Sequence, residues 1–121
     1  MIKLKTEPAE KRMIPQGLRA EILLGLMVAD GCAMDCGWAG VRLTSGTEGR
    51  HGRKSRHFDG AAVDFTLWGH THEKPDEGAY HPFVEWLKAR LGPDYDVVLE
   101  KDEEGNVWVH LEWDPRGPMW R

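Results

Sequence analysis

At 121 residues the chain has the size of one domain, long enough to bury a core without disulfide staples. Apolar residues make up 40% and charged residues 30%, the ordinary balance of a soluble globular protein. Lys and Arg number 16 against 20 Asp and Glu, and the net charge of −4 argues against a nucleic-acid partner. The two cysteines, Cys32 and Cys36, are too few for a disulfide framework, and a Cys-x-x-x-Cys pair cannot complete a zinc site alone. They are read as free thiols, with a local disulfide as the alternative. Residues 1–13 carry no apolar run, so neither a secretory signal nor a membrane insertion is expected, and synthesis in the cytoplasm follows.

Residues 1–15 read as an extended or disordered arm of Lys, Glu and Pro. After Pro15 the spacing of Leu18, Ile22, Leu26 and Ala29, with Leu23 and Met27 beside them, predicts a core helix that Asp30-Gly31 ends. Residues 32–40 read as a loop and 41–44 as a short strand; 45–54 form a loop rich in Gly, Arg and Ser. Residues 61–66 are the next strand, with Ala62 and Asp64 on one face and Ala61, Val63 and Phe65 on the other. Residues 67–80 read as a second loop, whose His70 and His72 are read as solvated. Pro82 suits the first turn of a helix carrying Phe83, Trp86, Leu87 and Leu91, with Trp86 in the core, and Gly92-Pro93 stops it. Residues 96–100 and 107–113 form a hairpin, and a Pro/Gly-rich tail follows. The order helix, strand, strand, helix, hairpin is α+β: a small, mostly antiparallel sheet covered by helices.

Chemistry concentrates in three residues. His57 precedes Asp64 by seven positions, and His110 lies on the last strand, sharing a face with Trp108 and Glu112. Two histidines and one carboxylate make a three-ligand zinc site with an open fourth position, the arrangement of a catalytic rather than a structural zinc. A nearby carboxylate is then needed to take a proton from water and pass it to the leaving amine. Glu100 is the candidate: a three-residue hairpin loop sets it across from His110, whereas a two-residue loop sets Lys101 there. Glu112 is the runner-up.

The motif Ser55-x-His57-x-x-Gly60-x-Ala62-x-Asp64 resembles the signature of the zinc D-Ala-D-Ala carboxypeptidases and L-alanyl-D-glutamate endopeptidases, whose fold also occurs in the hedgehog signalling domain. The run from Thr44-Ser45-Gly46 to His51 resembles that family's lead-in. The runs Asp94-Tyr95-Asp96-Val97-Val98-Leu99-Glu100 and Val109-His110-Leu111-Glu112-Trp113-Asp114-Pro115 resemble its last two strands. The resemblance covers residues 20–115. It implies His57, Asp64 and His110 as zinc ligands, Glu100 as general base, and His51 beside the developing oxyanion. Arg50 and Arg56 are candidates to bind a substrate carboxylate. Ser55, Gly60 and Ala62 shape and pack the turn. Two departures stand out. Trp108 occupies a position where many relatives carry a histidine, and is read as a wall of the site; the segment between Glu100 and His110 is also longer. Trp68 is a further candidate wall.

The expected organisation is an arm (1–15), a zinc peptidase domain (16–115) and a tail (116–121). The expected function is hydrolysis of peptidoglycan stem peptides by a monomeric zinc enzyme acting on the bacterial cell wall or periplasm. The single-domain form suits a phage-encoded endolysin or tail-associated enzyme. The alternative is an inactive, zinc-binding, hedgehog-like binding module.

Overall fold

The computed structural model describes residues 1–6, 17–46, 60–71 and 74–115. In chain order the elements are β1 (Lys3–Leu4), α1 (Ala20–Asp35), β2 (Gly40–Ser45), β3 (Ala62–Trp68), α2 (Glu77–Leu91), β4 (Tyr95–Lys101) and β5 (Val107–Trp113). The strands form one sheet in the order β1-β2-β3-β5-β4, parallel only between β1 and β2. The fold is therefore α+β with a mostly antiparallel sheet. The start of the expected arm is part of it: Lys3 pairs with Arg42 and Leu4 with Leu43.

Strand alternation divides the sheet into two unlike faces. Val41, Leu43, Val63, Phe65, Leu67, Val97, Val109 and Leu111 are buried on one face, against Ile22, Leu26 and Ala29 of α1 and Tyr80, Phe83 and Leu87 of α2. Burying each large apolar side chain contributes about 1.5–3 kcal/mol. The other face carries Asp64, Thr66, Trp108, His110, Glu112, Asp96 and Glu100, with no helix over it among the described elements.

Both helices differ from their expected bounds. α1 runs through Asp30-Gly31 to Asp35. Gly31 costs about 1 kcal/mol in a helix interior, but Cys32 and Ala33 continue the buried stripe, and Asp30 accepts a hydrogen bond from the Val41 amide. The actual stop is Gly37, at φ 92°, where Gly37 N–H donates to Met34 O and Trp38 N–H to Ala33 O in a Schellman turn. Leu23 and Met27 lie on the exposed side. Both cysteines are free, Cys32 buried and Cys36 half-buried. Burial pushes both thiols up, away from the reactive thiolate.

α2 begins five residues before Pro82, because Asp76 caps it by accepting from the Ala79 amide at 2.9 Å. Tyr80, expected in a loop, is buried in its first turns and its hydroxyl accepts from the Leu67 amide. Trp86 is not core: it is 47% exposed, and the Arg90 guanidinium lies over its ring at 4.9 Å. The buried stripe of α2 is Tyr80, Phe83, Val84 and Leu87, and Trp86 stands off it.

The approach to β3 depends on Gly60. Its φ is 72°, and a Cβ there would collide with the Gly17 carbonyl. The Gly60 carbonyl accepts from the Arg19 amide, and Ala61 O from the Trp113 amide. A Gly60→Ala variant combines left-handed strain with a backbone collision and is expected to lose about 2–3 kcal/mol. Urea unfolding checks this: the midpoint should fall with an unchanged slope.

Candidate metal centre

The site is built on β3 and β5, adjacent strands in the middle of the sheet. Asp64 pairs directly with His110, and Ala62 with Glu112. A register shift in β2 between Leu43 and Ser45 brings Ser45 opposite Asp64, the kind of irregularity that re-aims side chains beside sites. His110 Nδ1 lies 2.9 Å from Asp64 Oδ1, and His110 Nε2 lies 3.2 Å from Glu112 Oε1. All three side chains are about one-fifth exposed, at 19–22%. An aspartate flanked by Val63 and Phe65 is thus compensated by an imidazole.

The Asp64 hydrogen bond favours the charged imidazole most. Glu112 and the charge of Glu100 add to it, burial opposes them, and the balance pushes the His110 pKa from 6.5 up to about 9. In the metal-free chain this pair stabilises the fold fully below pH 6.5 and ceases to do so as the pH rises through about 9. NMR titration of the His110 ring should therefore show a midpoint near 9, lowered in Glu112→Gln; a wild-type midpoint near 6.5 would contradict this geometry.

Asp64 Oδ1 and His110 Nδ1 are atom types that zinc takes as ligands. Tetrahedral ligands at about 2.0–2.2 Å from zinc stand roughly 3.3 Å apart. The Nδ1–Oδ1 separation of 2.9 Å is a few tenths of an ångström short of that. If Nδ1 is the ligating atom, Nε2–H is left to donate to Glu112, the carboxylate–histidine support that orients metal-bound imidazoles. Glu112, the runner-up base, thus has an oxygen in contact with the His110 ring.

Glu100 also differs from expectation. It pairs with Trp108, while Val98 stands opposite His110. Neither the two- nor the three-residue hairpin loop occurs. Asp102 captures the amides of Glu104 and Asn106 and the Asn106 side chain, Gly105 takes φ 87°, and five residues make the turn. Glu100 is consequently diagonal to His110 on the same face, a separation of about 7–8 Å. No hydrogen bond or ion pair holds its carboxylate among the described residues.

Trp108 is half-buried on this face. Trp68 is the last residue of β3, not a loop residue. Its Nε1–H donates to Met1 O at 2.9 Å and Lys3 Nζ lies over its ring, so it braces the β1 edge. His70 is exposed beside it. The expected residues Arg50, His51, Arg56 and His57 lie outside the described residues, as do Ser55 and His72.

One recess is lined in part by His110, another by Thr66 and Trp108. A groove of about 1500 Å³ runs past His110, Glu112, Asp96, Asp114 and Arg19. A cavity of about 510 Å³ opens on the Trp108 side. The carboxylates of Asp96, Glu112 and Asp114 approach within 4.8 Å of one another, a cluster that the sequence reading passed over. The pairing of Asp96 with Glu112 creates it, and only the hairpin register would have revealed it. No helix among the described residues is long and apolar enough to cross a membrane.

Comparison with protein-family models, with curated proteins and with solved structures finds no match for this chain.

Proposed function

We propose that this chain is a zinc metallopeptidase that hydrolyses peptide bonds in the stem peptides of bacterial peptidoglycan, as a D-Ala-D-Ala carboxypeptidase or an L-Ala-D-Glu endopeptidase. The observation that carries the reading is the approach of Asp64 Oδ1 and His110 Nδ1 to 2.9 Å on the sheet face that no described helix covers, where His110 also lines a groove. The motif resemblance adds His57 as third ligand.

Zinc held by these three residues would supply a Lewis acid that brings the pKa of a coordinated water to about 7 and polarises the scissile carbonyl. Glu112 fixes the ring plane and tautomer of His110. Glu100, whose carboxylate no described residue hydrogen-bonds or ion-pairs, accepts the water proton and returns it to the leaving amine. His51 donates a hydrogen bond to the charge that develops on the carbonyl oxygen. Arg50, Arg56 and Trp108 contact the peptide. The protein acts on the cell wall as a monomer, in the manner of a phage lysis enzyme.

The test is digestion of purified peptidoglycan by the zinc-loaded chain, with reverse-phase separation and mass spectrometry of the products. Release of D-Ala, or of fragments cut between L-Ala and D-Glu, is expected and names the bond. Stable zinc with no product from several wall types would replace this reading with an inactive, hedgehog-like binding module.

A further inference from the structure

The cavity on the Trp108 side differs in charge from the rest of the molecule. On a chain of net charge −4, it is lined by three cations, Lys5, Arg42 and Lys74, together with the hydroxyls of Thr44 and Thr66. The one carboxylate in its described lining, Asp102, is already engaged by Asn106 and the amide of Glu104. Arg42 is half-buried, and among the described residues no hydrogen bond or ion pair engages its guanidinium. A cation partly removed from water without a partner is costly, and an anionic ligand would relieve that cost.

Its position relative to the metal centre is set by the strands. Arg42 pairs with Thr66, which lies two residues along β3 from Asp64 on the same face. Trp108 likewise lies two residues along β5 from His110. Two residues of strand span about 6.6–6.8 Å. An extended peptide advances about 3.3–3.6 Å per residue, so the cavity receives a group one or two residues from the bond at the metal.

Resting on the peptidase reading, we propose that this cavity is a carboxylate subsite: Arg42, with Lys5 and Lys74, binds a carboxylate of the stem peptide one or two residues from the scissile bond and selects for its being unamidated. A planar guanidinium suits a two-oxygen anion, with the threonine hydroxyls as further donors. Trp108 supplies the wall between subsite and metal.

The experiment uses the zinc-loaded full chain and three forms of one synthetic stem pentapeptide: both carboxylates free, the D-Glu α-carboxylate amidated, and the C-terminal carboxylate amidated. Binding is followed by tryptophan fluorescence, and turnover in parallel. One of the two amidations should weaken wild-type binding about 10- to 100-fold, the worth of a hydrogen-bonded charge pair. That preference should collapse toward unity in Arg42→Gln, recover in part in Arg42→Lys, and shrink in Lys5→Gln. Indifference of the wild type to both amidations would overturn the subsite, as would an undiminished preference in Arg42→Gln. Absence of turnover for all three peptides would count against the peptidase reading, while the binding preference still decides the subsite.

Discussion

Replacing Glu100 with Ala is expected to lower turnover by about 10²–10⁴-fold, the range for loss of a positioned general base, while zinc content stays unchanged. The separation of effects follows from place. Glu100 lies on β4, opposite Trp108 and diagonal to His110, so it contributes charge to the site without touching Asp64 or His110. Glu112→Gln is the informative companion. Glu112 supports His110 Nε2, so its loss should weaken zinc affinity about 10–100-fold while saturating zinc restores turnover. Metal content and kcat measured on the same preparations distinguish the two carboxylates. Retained turnover in Glu100→Ala, or turnover lost in Glu112→Gln at saturating zinc, would reverse their roles.

On the proposed zinc site, His110→Ala should weaken zinc binding by more than the roughly 100-fold typical of losing a supporting residue, because a ligand itself would be removed. Asp64→Ala should do the same. In the metal-free chain His110→Ala has a second effect. It removes the charged imidazole that lies against the Asp64 and Glu112 carboxylates, which are about one-fifth exposed. The resulting loss of stability should be greatest near pH 6 and narrow toward pH 10, where the wild-type imidazole has also lost its charge. Metal titration and urea unfolding at the two pH values check both statements. A ring that merely packed in place would give a pH-independent loss.

Much of this architecture was legible in the sequence because strand alternation is simple. Val63 and Phe65 against Asp64, and Val109 and Leu111 against His110, place the two polar residues on the same side of their strands whatever the exact ends. The errors arose where one local signal competed with another. Asp30-Gly31 looks like a helix stop, but burial of Cys32 and Ala33 carries α1 on to Gly37. Pro82 looks like a helix start, yet Asp76 caps α2 earlier. The hairpin register turned on Asp102, whose side-chain hydrogen bonds make a five-residue turn that no count of Gly and Asn anticipates. That register moved Glu100 off His110 and brought Asp96 to Glu112. Of the expected metal site, Asp64 and His110 meet in the structure, while His51 and His57 lie outside the described residues, so their roles rest on the motif.

The central claim is that Asp64 and His110 are two ligands of a catalytic zinc. The most direct measurement is zinc stoichiometry and peptidoglycan hydrolysis on one sample of purified chain, before chelation, after it, and after zinc is returned. About one zinc per chain is expected, with hydrolysis lost with the metal and regained with it. A chain that binds no metal, or that hydrolyses peptidoglycan equally well after chelation, would contradict the claim.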